Sequence, residues 1–166
     1  MSTSMTDPYD GMVSFQQALH EGILEISPVA NHQDLFSYLD VPAPGIRRLT
    51  YARLSEDRRT VKAFLSCVMN GEVDGFPCVA VGYAVPESER NQGYAKMILR
   101  DVISDQIYQS RMSDIHTLYI EAVIDVSNIV SQRVAEAVLN VERESIIDAV
   151  SGRSAYRYTA CFSGAL

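Results

Sequence analysis

Hydrophobic positions recur with a helical period in the segment from Tyr94 to Ile107. Six apolar residues lie at offsets that place them on one helix face: Ala95, Ile98, Leu99, Val102, Ile103 and Ile107. An apolar run, Val79–Val85, precedes this segment and stops at Pro86. The pattern predicts a strand followed by a helix, with a glycine-bearing turn between them.

Three segments upstream of this helix have the composition of strands: Arg48–Leu54, Thr60–Met69 and Pro77–Val85. Both connections, Ser55–Arg58 and Asn70–Gly75, are made of turn-forming residues. Connections this short join neighbouring antiparallel strands. The three segments are therefore predicted to form an antiparallel meander.

The N-terminal third has weaker patterns. Residues 1–12 are polar, with interspersed Gly and Pro, and are predicted to be a flexible tail. Ser14–His20 and Asn31–Leu39 are predicted to be short helices, the second capped by its asparagine. Gly22–Ile26, between them, is a candidate short strand.

The C-terminal part returns to stronger signals. Thr117–Asp125 is a predicted strand, Ser131–Leu139 a predicted helix, and Glu144–Val150 with Ala155–Phe162 a predicted hairpin. The chain of 166 residues is 47% hydrophobic and 21% charged, which suits a single packed core. We therefore expect one α/β domain over residues 13–166.

Composition, charge and segment lengths argue against several classes of partner. The formal net charge of -7 disfavours nucleic-acid binding, which relies on Lys and Arg. The sequence has no apolar run near the roughly 18 residues of a membrane span and no secretion signal, so a cytoplasmic protein without a membrane partner is predicted. Cys67, Cys78 and Cys161 are predicted to be reduced, buried thiols, and the scattered histidines predict no metal site.

The turn before the long helix, Arg90–Ala95, is a candidate anion site. The start of a helix leaves backbone N–H groups unpaired at the positive end of the dipole, where a phosphate or diphosphate can bind. Arg90, Lys96 and Arg100 lie around it and could add positive charge. An ordinary strand-to-helix junction carries the same residue types, so the turn alone leaves both interpretations open.

Two longer features accompany the turn: the sequence of residues 120–136, and the order of elements, in which a meander leads to strand, turn and helix, then strand, helix and hairpin. With these, residues 46–162 resemble the GNAT superfamily of acyl-CoA-dependent N-acyltransferases. Arg90-Asn91-Gln92-Gly93-Tyr94-Ala95 matches that family's Arg/Gln-x-x-Gly-x-Gly/Ala signature. The Glu-Ala, Asn and Ser-Gln-Arg-Val-Ala-Glu pattern is similar to the branch of ribosomal-protein N-terminal acetyltransferases.

The resemblance implies a mixed, mostly antiparallel central sheet flanked by about four helices. It implies that the sheet is splayed between the strand ending at Val85 and the strand 117–125, where the pantetheine arm of acetyl-CoA, the co-substrate, enters. The implied coenzyme-binding residues are Ala84, Val85, Arg90, Asn91, Gln92, Gly93, Tyr94, Ala95 and Asn128. The alternative role for Asn128 is a turn or helix cap.

Acyl transfer to an amine needs a base for the ammonium proton and benefits from an acid for the departing thiolate. Glu121 is the first candidate base, because burial within an apolar strand raises the pKa of a carboxyl group. Asp125 is a weaker candidate. The alternative for Glu121 is an ion pair with a nearby arginine, such as Arg100 or Arg133.

The candidate acid departs from the commoner family pattern. That pattern has a tyrosine about seven residues after the asparagine, where this chain has Val134-Ala135-Glu136. The resemblance to the ribosomal-protein branch implies Ser131 instead, whose alternative role is to form the first turn of its helix. Tyr156 and Tyr158 of the final hairpin are further candidates.

The sequence thus predicts an acetyl-CoA-dependent N-acetyltransferase. Its acceptor is a primary amine, of a small molecule or of a peptide or protein N terminus, which attacks the thioester directly in a ternary complex. The missing tyrosine favours an alternative, a catalytically inactive CoA-binding or partner-binding module with the same fold. An unrelated α/β protein that binds another phosphorylated ligand is a third hypothesis, and the final hairpin is a candidate homodimer surface.

Overall fold

The computed structural model describes residues 7–149 and 151–163, which form one eight-stranded sheet and three α-helices. The strands are β1 (Ser27–Pro28), β2 (Leu35–Ala43), β3 (Ile46–Leu54), β4 (Val61–Val73), β5 (Phe76–Ala84), β6 (Thr117–Asp125), β7 (Glu144–Ile147) and β8 (Ser154–Ser163). The helices are α1 (Pro8–His20), α2 (Tyr94–Met112) and α3 (Ile129–Leu139). The strand order is β1-β2-β3-β4-β5-β6-β8-β7.

The sheet is mixed and mostly antiparallel, as predicted. Strands β3, β4 and β5 form the predicted meander, and β6, β8 and β7 are antiparallel neighbours. Strand β6 lies parallel to β5, to which α2 connects it. A one-turn 3₁₀ helix, Glu87–Glu89, precedes α2, so the described residues contain three α-helices where about four were predicted.

The first helix begins earlier than predicted. Helix α1 starts at Pro8, so the last residues of the predicted tail are helical, whereas residues 1–6 lie outside the described part. The Asp7 carboxylate accepts a hydrogen bond of 3.0 Å from the backbone N–H of Tyr9, and proline occupies the first helical position. An Asp cap followed by proline is a start signal that the prediction overlooked.

The predicted helix Asn31–Leu39 is wrong, because strand β2 begins within it. The neighbouring residues Leu35 and Phe36 are buried in separate cores on opposite faces of the sheet. Two adjacent buried residues in a strand covered on both sides resemble the apolar face of a helix in sequence. The short strand of this region is Ser27–Pro28, not Gly22–Ile26.

The sheet has a hydrophobic core on each face. Helices α2 and α3 cover the larger core, and α1 packs on β4 and β5 over the smaller one. On β6, four alternate side chains belong to the larger core: Leu118, Ile120, Ala122 and Ile124. The intervening residues Tyr119, Glu121 and Val123 therefore lie on the face that carries α1.

Strands β5 and β6 separate along their length. They pair from Cys78 with Tyr119 as far as Val81 with Ala122, and the structure records no pair beyond that point among the described residues. The end of β5, Gly82–Ala84, continues to pair with β4 on its other side. The predicted splay is therefore confirmed, and it opens one edge of β5.

Gly82 is predicted to be required for the seating of α1. A Cβ added there would lie 3.0 Å from Cγ of Pro8. We expect Gly82→Ala to lower the free energy of unfolding by about 1 to 3 kcal/mol, because overpacking displaces α1. Urea denaturation measures this change. In the double variant with Pro8→Ala the loss should be less than additive, and strict additivity would contradict the contact.

The predicted C-terminal hairpin is confirmed, and so is the predicted burial of the Cys67 and Cys78 thiols. Strands β7 and β8 pair antiparallel, although Val150, at the end of the predicted strand, lies outside the described residues. All three cysteines are free, but Cys161 on β8 is exposed, which corrects its predicted burial. None of the described helices has the length and apolar character needed to cross a membrane.

Candidate active site

A cavity of about 210 Å³ lies where β5 and β6 separate. Both strand ends, the β6–α3 connection, the start of α1 and one residue before β8 line it: Val81, Gly82, Tyr83, Val123, Ile124, Asp125, Ser127, Asn128, Ser131, Asp7, Pro8 and Arg153. Residues from both faces of the sheet are among them. The cavity therefore runs between the strands, where an extended ligand could lie alongside the unpaired edge of β5.

The turn before α2 offers unpaired backbone N–H groups. Gly93, at the N-cap position, has a φ of 79°, and Asn91 has a φ of 64°. The first hydrogen bond into the helix runs from Met97 N to the Gly93 carbonyl at 3.0 Å. Among the described residues, no acceptor is recorded for the backbone N–H groups of residues 91–95. Successive free amides at a helix start are a suitable binding site for a diphosphate.

The space beside Gly93 is open. A Cβ built there would have no heavy atom within 4 Å apart from its chain neighbours. Packing among the described residues therefore does not require glycine at this position, whereas the positive φ favours it. An anion could approach the backbone closely here.

Basic side chains lie near this turn. The Lys62 ammonium group lies 5.8 Å from the centre of the Tyr94 ring, and the Arg90 guanidinium carbon 5.9 Å from that of Tyr9. Arg90 Nε also donates to the carbonyl of Val85 at 3.5 Å, which is a long contact. Sequence reasoning missed Lys62, because it belongs to β4 and only the fold brings it to α2.

Asn128 and Ser131 meet at the start of α3. The Asn128 side-chain oxygen accepts a hydrogen bond of 3.2 Å from Ser131 N, so the cap that the sequence left as an alternative is present. Both residues line the cavity. Ligand binding by Asn128 and proton transfer by Ser131 stay predictions.

Gln132 holds this helix start in place and was missed by sequence reasoning. It is buried, and its amide nitrogen donates to the carbonyls of Asp125 and Val126 at 3.1 and 3.0 Å. Its amide oxygen accepts from Arg143 at 3.3 Å. The end of β6 and the first turn of α3 are therefore fixed to each other.

Glu121 lies two residues before Val123 on the same face of β6 and is half-buried. Its carboxylate accepts a hydrogen bond of 3.2 Å from the Asn70 amide, and the Cys78 thiol lies 4.0 Å away. Burial raises the pKa of Glu121, an effect that Glu144 reinforces and that Arg157 and Asn70 oppose. None of the ion pairs recorded among the described residues includes Glu121, and the arginine that acts on it is Arg157 rather than Arg100 or Arg133.

Glu121 is not among the residues that line the cavity. Val123 does line it, and two residues along a strand correspond to roughly 7 Å. The hydrogen bonds recorded for Glu121 among the described residues are with Asn70 and Cys78, and none joins it to Ser131. Glu121 is instead placed beside the cavity on the α1 face of the sheet.

Asp125 lines the cavity but is a poor base. Its carboxylate accepts hydrogen bonds from the backbone N–H and the hydroxyl of Ser127 at 2.9 and 2.7 Å, and pairs with Arg153 at 3.2 Å. These hydrogen bonds, with the arginine, lower the pKa of Asp125. A carboxylate held in its ionised form in this way stabilises the turn rather than accepting a proton.

The tyrosines of the final hairpin do not line the cavity. Tyr158 is fully buried and donates to the Glu136 carboxylate at 3.2 Å, and Tyr156 stacks on the Arg143 guanidinium at 3.8 Å. The tyrosine that does line the cavity is Tyr83 of β5, which sequence reasoning did not single out. No group of three or more metal-ligating side chains occurs in the part of the chain that the structure describes.

Known proteins match this chain through structure only. No protein-family model matches the sequence, and no curated protein does. The chain is similar to the ribosomal-protein-S5-alanine acetyltransferase from Vibrio fischeri, with a TM-score of 0.55 and 13% identity over 71% of this chain and 63% of that one. It is similar to AAC(6')-Ib in complex with ribostamycin and coenzyme A, with a TM-score of 0.52 and 12% identity over 68% and 63%.

A third similar structure is a GnaT-family acetyltransferase from Bordetella pertussis, with a TM-score of 0.51 and 15% identity over 67% of this chain and 64% of that one. These similarities define the fold: the chain has the fold of the GNAT acetyltransferases, as its sequence predicted. The matched region spans less than two thirds of the length of each of the three structures.

Proposed function

We propose that the protein is an acetyl-CoA-dependent N-acetyltransferase that acts on a primary amine. The observation that carries this proposal is the row of unpaired amides at residues 91–95, on the same strand-to-helix connection that leads out of the splayed strand β5. These amides would hold the diphosphate of coenzyme A. The open edge of Ala84 and Val85 and the side chain of Asn128 would bind the pantetheine arm, which supplies the reactive thioester.

The side chains near the cavity suit the two proton transfers of the reaction. Glu121, whose pKa is raised by burial, would accept the ammonium proton of an acceptor that enters from the α1 face. The Ser131 hydroxyl would donate a proton to the departing thiolate. A positioned acid or base is worth about 10² to 10⁴ in rate, and the orientation of both reactants in one cavity adds to this.

Thermal unfolding with coenzyme A and thiol release from acetyl-CoA together test the proposal. At about 100 times its dissociation constant, coenzyme A should stabilise the fold by roughly 2.7 kcal/mol. The melting temperature should then rise by about 5 to 10 °C. Free thiol should appear only when an amine is present, in a panel of polyamines, aminoglycosides and peptides with free N termini. Absence of both signals would exclude the enzyme.

A second candidate is a module that binds coenzyme A without turnover. It is favoured because α3 carries no tyrosine near the cavity and because Tyr156 and Tyr158 lie away from it. This candidate predicts coenzyme A binding without amine-dependent thiol release. A tightly bound nucleotide that coenzyme A fails to displace would instead favour the third hypothesis, an unrelated phosphate binder.

We also propose a cytoplasmic location. The three cysteines are free, as expected in a reducing compartment. The proposed activity also requires that acetyl-CoA is present in the same compartment as the protein. Fractionation of cells that express the tagged protein tests this, and a secreted, oxidised product would contradict it.

A further inference from the structure

The hydroxyl of Tyr83 connects the two walls of the cavity. Tyr83 lies two residues beyond the last pair between β5 and β6, and its side chain belongs to the core under α2 and α3. Its Oη donates a hydrogen bond of 2.6 Å to the carbonyl oxygen of Ser131, in the first turn of α3. This bond joins residues that are 48 positions apart in the sequence.

The remaining anchors of this helix start lie on the other wall. Gln132 binds the carbonyls at the end of β6, and Asn128 caps the helix locally. The Tyr83 hydroxyl thus links the end of β5 to α3 through the Ser131 carbonyl, and the backbone N–H of Ala135, also in α3, lies close enough to interact with the same hydroxyl. Among the described residues, the recorded β5–β6 pairs end at Val81 and Ala122, so this bond and the core packing of α3 connect the two walls at this point.

The hydrogen bond between Tyr83 and Ser131 has the properties of a rigid connection. Tyr83 is only 6% exposed, and loss of a partner by a buried polar group is costly. Burial raises the pKa of Tyr83, which favours the neutral, hydrogen-bond-donating form of its hydroxyl near neutral pH. An aromatic side chain with one hydroxyl is also stiff, with few rotatable bonds.

From these contacts we infer that Tyr83 is a positioning residue for the coenzyme: by tying α3 to β5 it sets the separation at which Asn128 and Ser131 face the thioester arm. The inference rests on the proposed function for the identity of that ligand. The hydrogen bond between Tyr83 and Ser131 is present in the protein without ligand, so its effect on α3 can be tested independently of coenzyme A binding.

Tyr83→Phe removes the hydroxyl and keeps the ring, so the core remains filled. We expect the dissociation constant of coenzyme A, measured by calorimetry, to rise about 3- to 10-fold, as for loss of one buried hydrogen bond. The KM for acetyl-CoA should rise by the same factor, while kcat falls less than about 3-fold. In the free protein, amide hydrogen exchange in the first turns of α3 should accelerate.

Tyr158→Phe is the matched control. Tyr158 is also buried and its hydroxyl also binds α3, at Glu136, but it comes from β8 rather than across the cavity. Its removal should leave coenzyme A affinity within about 2-fold. Equal effects of the two variants on affinity and exchange would overturn the inference, and so would a large loss of kcat in Tyr83→Phe at unchanged KM. If the wild-type protein binds no coenzyme A, the proposed function fails, while the exchange measurement still tests the tie.

Discussion

Gly93→Glu is expected to weaken coenzyme A binding by about 10- to 100-fold, equivalent to about 1.4 to 2.8 kcal/mol. The new carboxylate would stand where the unpaired amides of residues 91–95 face solvent, and would compete with the diphosphate for them. The φ of 79° adds a backbone cost of about 1 to 2 kcal/mol to the stability of the variant. Calorimetric titration with coenzyme A measures the loss of affinity.

Gly75→Glu is a control that distinguishes the loss of coenzyme A affinity from the loss of stability. Gly75 has a φ of 83°, and an added Cβ would also meet no heavy atom within 4 Å, but it lies in the β4–β5 connection. Both variants should lose similar stability, whereas only Gly93→Glu should lose affinity for coenzyme A. If Gly75→Glu weakens binding as much, or if neither variant does, the turn before α2 does not hold the ligand.

The parts of the fold that the sequence predicts are those with local causes. The face of α2 is predictable because its apolar residues repeat every three to four positions, and the meander because its connections carry turn-forming residues. Strand β2 was mispredicted because Leu35 and Phe36 serve separate cores. The burial of both neighbouring residues is explained only by the assembled sheet, which has helices on both faces.

The same distinction holds for the candidate site. The anion turn is visible in the sequence because free amides at a helix start are a property of the local backbone. Lys62, Tyr83 and Gln132 act through partners that the fold supplies, in one case 48 residues away. No short sequence motif identifies such residues, so they can be recognised only from their contacts in the folded structure.

The two carboxylates of β6 show how environment separates residues of similar chemistry. Asp125 receives two hydrogen bonds from Ser127 beside Arg153, and its pKa is lowered. Glu121 is half-buried with a single amide donor, and its pKa is raised. A base must bind a proton near the working pH, so Glu121 is the better candidate although Asp125 is the one that lines the cavity.

Glu121→Gln is accordingly expected to lower kcat by about 10² to 10⁴, the usual worth of a general base, and to leave the coenzyme A dissociation constant within about 2-fold. A base acts only when ionised. The wild-type kcat should therefore increase with pH as Glu121 loses its proton, at a pKa above its ordinary value of 4.5. This acid limb, measured at saturating acceptor, should disappear in the variant. An unchanged limb would exclude Glu121 as the base.

Glu144→Gln is a second test of Glu121 as the base. It should shift the pH at which kcat increases, whereas Glu121→Gln should abolish that increase. Glu144 helps to raise the pKa of Glu121, and its carboxylate also pairs with Arg157 at 2.9 Å. Its replacement removes a negative charge and frees that arginine, and both changes favour ionised Glu121. The acid limb should therefore shift to lower pH at nearly unchanged maximal kcat. A shift to higher pH would mean that the limb belongs to another group.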